Sequence, residues 1–579
     1  MRKLVAAITA TFLIFISLPT QAAVATNLLE ITDVNPSIIR SAAALTVSAT
    51  VNSRDVESVE LWLSRDQVTD LTKIAQDVIP LAQAVVLNNK VTIRRNAMPN
   101  ISAGVYQLVL RSIDGKSVIG EQAIPIVVGG ASLPIKKLAV VVPISIPPTS
   151  DEITPLNTLL TAGSQAPVDW FIDGDTFKKL GPNQIELTGR ITAIAATNPD
   201  PNVASKYKLR NFLALATQSA QATFAPAPVK VATWQIRHQV DGEGMRTALG
   251  AKLDYVVTKS NSAATKYQFG ANEITELTID PALTDLIAVT SNPIMLRQYV
   301  LAASAITDAT AIAPPIGWAP SVDLAAAFFS AVNAAPWLEL ISVDAISAGL
   351  TAKSTSNISG SSPVFSSKHL RNLDQLNRIW RSLTATTLDS PKPEAFTLAI
   401  STISNWWWLA RPSGNQYALQ VKQELATELN KLSISSRNKV VLPATTGSIP
   451  ITITNKRDTT AKIQVAGQAL GTAVVRIETV AIEIPAGAKQ VIELPIEVVT
   501  PGSIYAQLLI QGQNGETTAM TPTVLQIEVS QYRIVAQLII FGAFGVLLVL
   551  SAISVRGRIK KRREIRDNKP ATAGARSDV

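Results

Sequence analysis

The chain has 579 residues, 52 Lys and Arg against 43 Asp and Glu, two histidines and no cysteine, which excludes thiol catalysis, thiolate zinc and iron–sulfur centres. The net charge of +9 is concentrated at the ends: Arg2, Lys3, Arg533 and nine basic against three acidic residues after Val555 account for all of it, leaving 40 of each sign between residues 4 and 532. That balance removes the electrostatic basis for nucleic-acid binding and for attraction of an anionic wall polymer by net charge.

In chain order, Met1 to Ala25 places Arg2 and Lys3 before an apolar run from Leu4 to Leu18, then Pro19 and small residues. This pattern predicts a secretory signal peptide (residues 1–25) cut between Ala22 and Ala25. Residues 27–129 follow as short runs of period-two alternation: Ala44–Val51, Val59–Leu63, Val91–Arg94 and Val105–Arg111, with Asp114-Gly115 as a hairpin turn. They predict an antiparallel β-sandwich that ends in a hinge at Gly129-Gly130.

The grammar changes over residues 131–435. Leu138-Ala-Val-Val-Val-Pro143 is a continuous apolar run of the kind a buried parallel strand shows. A helix capped at Ser150-Asp-Glu and closing at Gly163, strand Val168–Asp173, a long helix over Ala204–Gln221, strand Val229–Trp234, a helix over Glu243–Ala251 and strand Leu253–Val257 follow. Strands alternating with helices predict right-handed βαβ units and a parallel sheet or partial β/α barrel. Helices are expected again at Asp323–Asn333, Ser367–Thr384, Glu394–Leu409 and Gln416–Leu432.

Residues 436–530 return to alternation at Ile449–Thr454, Ala461–Val465, Val474–Ile477, Ile482–Ile484, Val491–Leu494 and Leu525–Val529, with a turn at Pro485-Ala486-Gly487. The phrase from Gly104 to Gly115 is echoed from Gly502 to Gly515. The fold class is thus multidomain: two immunoglobulin-like β-sandwiches flanking a central α/β, partial-barrel-like domain, plus one transmembrane helix. That helix is Ile534–Val555, 22 residues with one amide and no charge, enough to cross about 30 Å of hydrocarbon. The basic tail, 556–579, predicts a cytoplasmic C-terminus and an ectodomain outside a cell membrane crossed once.

Ligands in parallel α/β architectures meet the C-terminal ends of strands, which singles out Asp173-Gly174-Asp175, with Asp169 and Trp170 just before. Two carboxylates beside an aromatic ring can serve glycoside hydrolysis as acid and nucleophile or base. The simpler account, which we favour, is an Asp-Gly turn in which Asp175 caps a short helix over Thr176–Leu180. Trp170, Trp234 and His238, the last near Asp241 and Glu243, are ligand-binding candidates. His238 and His369 are far apart and neither has a second histidine four residues on, and no Asp-x-Asp-x-Asp loop occurs, so no metal site and no cofactor is expected. Gly-x-Ser-x-Gly and glycine-rich phosphate loops are absent. Trp406-Trp407-Trp408, on a helix, would point about 100° apart and form a packing seam, with sugar stacking or lipid-headgroup contact as the sharper alternative.

The order of segments, with Leu138-Ala-Val-Val-Val-Pro143 and Val168-Asp-Trp-Phe-Ile-Asp173, resembles an uncharacterised actinobacterial single-pass membrane protein family, typically encoded beside the peptidoglycan lipid II flippase. Members often carry Asp-Pro after the Trp-containing strand, where this chain has Asp173-Gly174. The central domain also resembles polysaccharide-deacetylase-type partial barrels, without their histidine pair. The resemblance implies a role in cell-envelope assembly. The expected function is a non-enzymatic, membrane-anchored extracytoplasmic protein that binds a wall glycan, a lipid-linked precursor or a partner membrane protein such as the flippase. The alternative is a carboxylate-dependent glycan enzyme using Asp173 and Asp175.

Overall fold

The computed structural model describes residues 28–40, 42–150, 152–164, 166–181, 190–236, 239–354, 358, 366–388, 398–471, 474–499, 502–529 and 532–567, with backbone alone at 532–536 and 561–567. The expected signal peptide, His238 and the tail beyond Asp567 lie outside these residues. The chain is multidomain and strand-rich, and it divides into two compact units, Met1–Asp374 with Pro393–Val421, and Gln375–Lys392 with Lys422–Val579.

The first unit opens with two sheets. Strands Leu29–Asn35, Leu45–Val51 and Lys90–Arg95 make one; Ile38–Ile39, Ser58–Ser64, Val78–Val85, Gly104–Asp114 and Ser117–Val128 make the other. Alternation works as expected: Leu45, Val47, Ala49 and Val51 enter one core with Leu61, Leu108 and Ile124. Gly115 takes φ 59° in the turn after Asp114, a conformation in which glycine has no Cβ to clash. The Gly129-Gly130 step is not the free hinge expected. A Cβ on Gly130 would lie 2.7 Å from the Trp337 ring and 2.9 Å from Ile38, and Met295 packs into the same core as the strands.

Next comes a closed barrel. Strands β1 (Lys136–Ile144), β2 (Asp169–Asp173), β3 (Arg190–Ile194), β4 (Lys230–Trp234), β5 (Tyr255–Lys259), β6 (Asn272–Ile279) and β7 (Ala311–Ile312) are joined by parallel pairing all the way round, β7 returning to β1. The expected partial barrel is therefore complete with seven strands. Closure depends on β5 pairing directly with β6, Tyr255 opposite Thr275, although the hairpin strand Thr265–Phe269 lies between them in sequence. Ala139, Val141, Phe171, Ile194, Ala232, Trp234, Val257, Leu277, Ile279 and Ala311 fill the interior.

Helices α1 (Thr154–Gly163), α2 (Gly174–Leu180), α3 (Pro201–Lys206), α4 (Arg210–Phe224), α5 (Gly242–Gly250), α6 (Pro281–Val289), α7 (Pro293–Ile306) and α8 (Val322–Ala334) accompany the barrel strands. Helices α6 and α7 are not among those expected, and two of the expected helices take another form. The helix expected from Ser150 starts at Thr154, with Ile153 as N-cap and Pro155 in its first turn, because proline fits where a helix has no intrahelical N–H partner. The long helix expected over Ala204–Gln221 is two, α3 and α4, broken where Lys208 takes φ 57°. A ninth helix, α9 (Val343–Gly349), stops the N-terminal end of the barrel, its Val343 and Ile346 entering the barrel core.

The second unit contains helical residues from Gln375 in α10 (Ser367–Ala385) and from Lys422 in α11 (Arg411–Asn430), then a four-stranded and a five-stranded sheet that share one core. Strand Leu432–Ser435 pairs with Thr446–Asn455, so the β-region begins before the expected boundary at 435/436. Its most buried charge among the described residues is Arg457, 2 % exposed. The guanidinium donates to the carbonyls of Glu428 and Leu429 and to Thr386 Oγ1, which satisfies acceptors that the end of α11 leaves without intrahelical partners. Helix α12 (Tyr532–Asp567) includes Gln537–Lys560, 24 residues long and apolar enough to cross a membrane, with its apolar side chains exposed.

Candidate functional site

The C-terminal mouth of the barrel is where parallel β/α barrels place their chemistry. Here it is occupied by the chain itself. Pro199 and Ser404 form an antiparallel bridge. Asp200 N–H donates to the Ile403 carbonyl at 2.9 Å, and Asn405 N–H to the Asn198 carbonyl at 2.8 Å. Ser404 Oγ donates to the Thr197 carbonyl at 2.6 Å. The backbone after β3 and the segment Ser401–Trp408 thus pair like two short strands, and none of these four residues after β3, Thr197 to Asp200, is exposed.

The three tryptophans sit on a 3-10 turn, Asn405–Trp408, capped by Ser404 Oγ, and not on the helix expected over Glu394–Leu409, of which 394–397 lie outside the described residues. Each ring takes a separate wall. Trp406 enters the barrel core, its Nε1–H directed at Ser145 Oγ, 3.4 Å away, and its ring against Gly317, where a Cβ would come within 2.5 Å. Trp407 donates to the Ser401 carbonyl at 2.6 Å and lies against Tyr417, with ring centroids 5.1 Å apart. Trp408 donates to Asp200 Oδ2 at 2.8 Å, with the Arg411 guanidinium over its ring. All three are less than a tenth exposed, so none offers a free stacking surface.

Asp173 stands at the same mouth, 2 % exposed. Its Oδ1 accepts from Asp175 N–H at 3.3 Å and Thr197 N–H at 3.1 Å, and its Oδ2 accepts from Thr176 Oγ1 at 3.0 Å. The capping carboxylate of α2 is therefore Asp173, two residues earlier than the expected Asp175, which lies in the first turn of the helix and faces Lys178 at 3.7 Å. Burial, reinforced by the neighbouring Asp175 charge, pushes the Asp173 carboxyl up to about 7; burial also raises Asp175. The three hydrogen bonds into Asp173 oppose the shift without cancelling it.

The other candidates scatter. Asp169 is at the opposite end of β2, four extended residues or about 13 Å from Asp173, and accepts from Val343 N–H of α9 at 3.0 Å. It belongs to the stopper at the N-terminal end, where Asp344 also accepts from Tyr255 OH at 2.5 Å and Lys230 at 2.9 Å, and Arg190 meets Ser342. Burial raises Asp169 to about 6. Trp170 faces outward into the helical layer beside Phe329, its ring against Gly163. Trp234 faces inward, edge-on to Phe171 at 5.7 Å. Both are buried. Among the described residues no group of three His, Asp or Glu side chains could hold a metal ion. Missed from sequence were Asn198, whose side chain bonds both backbone groups of Trp234, and Asp200. Its position before Pro201, the sequence signature of a capped helix start, is the signal that could have found it.

Residues 295–553 match a model described as a family of unknown function, DUF6049. That stretch is similar to an uncharacterised domain, and it includes the Ser401–Trp408 segment, the second unit's sheets and most of the apolar helix. No curated protein matches the chain. Similar solved structures include WR4, a C. elegans MSP family member, at 12% identity over 17% of this chain and 98% of that one, TM-score 0.14. A FixG-related protein from Vibrio parahaemolyticus is 10% identical over 17% of this chain and 94% of that one, TM-score 0.14. A beta-glucuronidase of Bacteroides uniformis is 9% identical over 86% of this chain and 60% of that one, TM-score 0.18. Likenesses at these scores carry neither fold nor activity to this chain.

Proposed function

We propose that this is a membrane-anchored, extracytoplasmic protein of cell-envelope assembly that binds a wall glycan and does not turn it over. The observation that carries this reading is the self-filled barrel mouth. The strand ends that hold substrate in a catalytic barrel here hydrogen-bond to Ser404, Asn405 and Trp408 of the same chain. A carboxylate that already accepts three internal hydrogen bonds and is out of contact with solvent has no path to a substrate proton. The deacetylase-type ancestry, an actinobacterial origin, the lipid II flippase as a partner and lipid-linked precursors as ligands belong to the same proposal. So do the signal peptide and a cytoplasmic basic tail. The two β-regions serve it as immunoglobulin-like spacers or binding modules, a reading that the parallel pairing of Ile38–Ile39 with Val127–Val128 supports.

The competing carboxylate-dependent glycan enzyme draws on one observation, the Asp173 carboxyl held near neutrality beside Asp175. Isolated wall sacculi separate the two. The binder cosediments with sacculi and releases no soluble sugar reducing ends on prolonged incubation. Release of reducing ends that disappears in Asp173→Asn, with the fold intact, would overturn the proposal in favour of the enzyme.

A further inference from the structure

The outer face of the five-stranded sheet in the second unit has a composition of its own. Along Ala461–Leu470 the outward positions are Lys462, Gln464, Ala466, Gln468 and Leu470; opposite them on Ser503–Gln511 stand Gln511, Leu509, Gln507 and Tyr505, Gln464 pairing with Gln511 and Gln468 with Gln507. Strand Thr523–Val529 adds Gln526, in register with Tyr505, and Val524, in register with Gln507. The Tyr505 side of this face is open, the residue being 53% exposed. Gln507 donates to Gln468 Oε1 at 3.2 Å and Gln526 to Ser503 Oγ at 2.7 Å. The charges of the face close on one another: Lys462 pairs with Glu483 and Lys439 with Glu528, each at 2.8 Å.

We infer that this face docks an uncharged, linear polysaccharide strand. This rests on the glycan-binding reading above and names its surface. A primary amide carries two donors and an acceptor with two lone pairs, a match for the hydroxyl and acetamido groups of a sugar, and an exposed tyrosine ring offers an apolar plate with a polar tip for the C–H face of a pyranose. Because every charge on the face is already paired with its opposite, an anionic polymer meets no excess of positive potential and a cationic one no excess of negative. Outward positions recur about every 6.7 Å along a strand, with about 4.8 Å between strands. The paired amides Gln464–Gln511 and Gln468–Gln507 therefore stand about 13 Å apart, with the apolar Ala466 and Leu509 between them, so that a chain lying along the strands meets both.

The test uses the full chain in detergent micelles, titrated with the β-1,4-linked hexamer of N-acetylglucosamine. The wild-type protein binds it, Tyr505→Ala and the double variant Gln468→Ala/Gln507→Ala each weaken binding at least tenfold, and Tyr505→Phe stays within twofold. Because these side chains are on the surface, thermal midpoints stay at the wild-type value, which separates lost contacts from lost fold. Undiminished binding by both variants would overturn the surface and leave the glycan-binding reading standing. Absence of hexamer binding by the wild type would also overturn the surface, and cosedimentation with sacculi then decides the broader reading independently. Tighter, salt-sensitive binding of dextran sulfate than of the hexamer would reject the uncharged ligand.

Discussion

The indole N–H of Trp408 donates to the Asp200 carboxylate across 2.8 Å, with both side chains buried. Asp200 Oδ1 meanwhile caps α3 by accepting from the backbone of Asn202 and Val203. One carboxylate therefore starts a barrel helix and fastens the segment that fills the barrel mouth. Trp408→Phe keeps the ring and removes a hydrogen bond to a charged group, a loss of about 1.5–3 kcal/mol. Chemical denaturation of the purified protein should show it; an unchanged midpoint would mean that the bond contributes nothing.

Trp406 fills the mouth by volume. Replacing it with alanine should cost about 3–5 kcal/mol, the range for emptying a large aromatic site in a core. Its partner is Gly317, whose φ of 74° and closeness to the ring leave no room for a Cβ. Gly317→Ala should destabilise by about 1–3 kcal/mol, and less in a Trp406→Phe background. A double-mutant cycle tests that coupling. Strict additivity would show that the two do not meet.

The Asp173 carboxyl makes stability depend on pH. Its pKa in the folded protein, about 7, exceeds the roughly 3.9 of an unfolded aspartate. The folded state therefore keeps a proton that the unfolded chain has lost, and stability falls as pH rises between about 4 and 7, by up to a few kcal/mol. Asp169, at about 6, adds the same sign over a narrower window. Asp173→Asn, which can still cap α2, should gain on the wild type at pH 8 and not at pH 5. Parallel stability profiles for the two proteins across that range would refute this.

Arg457 is the corresponding tie in the second unit. Burial lowers its pKa to about 10, yet it stays charged because its donors reach Glu428, Leu429 and Thr386. Arg457→Ala leaves those buried acceptors unpaired, for a loss of about 3 kcal/mol. Hydrogen exchange should quicken at the end of α11 and around Thr386. Unaltered protection there would show that the acceptors have other partners.

Removal of α12 tests the anchor. Chain ending at Val529 should partition into the aqueous phase of a detergent phase separation, and the full chain into the detergent phase, because Gln537–Lys560 presents its apolar side chains to the surroundings. Aqueous partitioning of the full chain would remove the membrane from the account.

What could be read from residues alone was whatever repeats locally. The alternation of Leu45–Val51 and Ala461–Val465, the continuous apolar run of β1, the Asp114-Gly115 turn and the long apolar stretch after Ile534 each declare their environment within a few residues, because period and burial are set by neighbours along the chain. That Asp173-Gly174-Asp175 starts a helix was also legible. Asp173 rather than Asp175 is the cap because the helix starts at Gly174, where Asp173 accepts from Asp175 N–H; that the same carboxyl also accepts from Thr197 N–H, 24 positions away, no local pattern shows. Closure of the barrel rested on β5 finding β6 past an intervening hairpin strand, a pairing that no local pattern encodes. The tryptophan run is the plainest case. Its residues read as part of a helix, but Ser404 and Asn405 bond to Thr197 and Asn198 some 207 positions earlier, and those long-range hydrogen bonds, with an apolar mouth to fill, outweigh a helix propensity that differs by less than about 1 kcal/mol per residue. That the three rings pack rather than stack on a ligand was legible from their spacing; which wall each takes, and that they close the barrel mouth, only the tertiary structure decided.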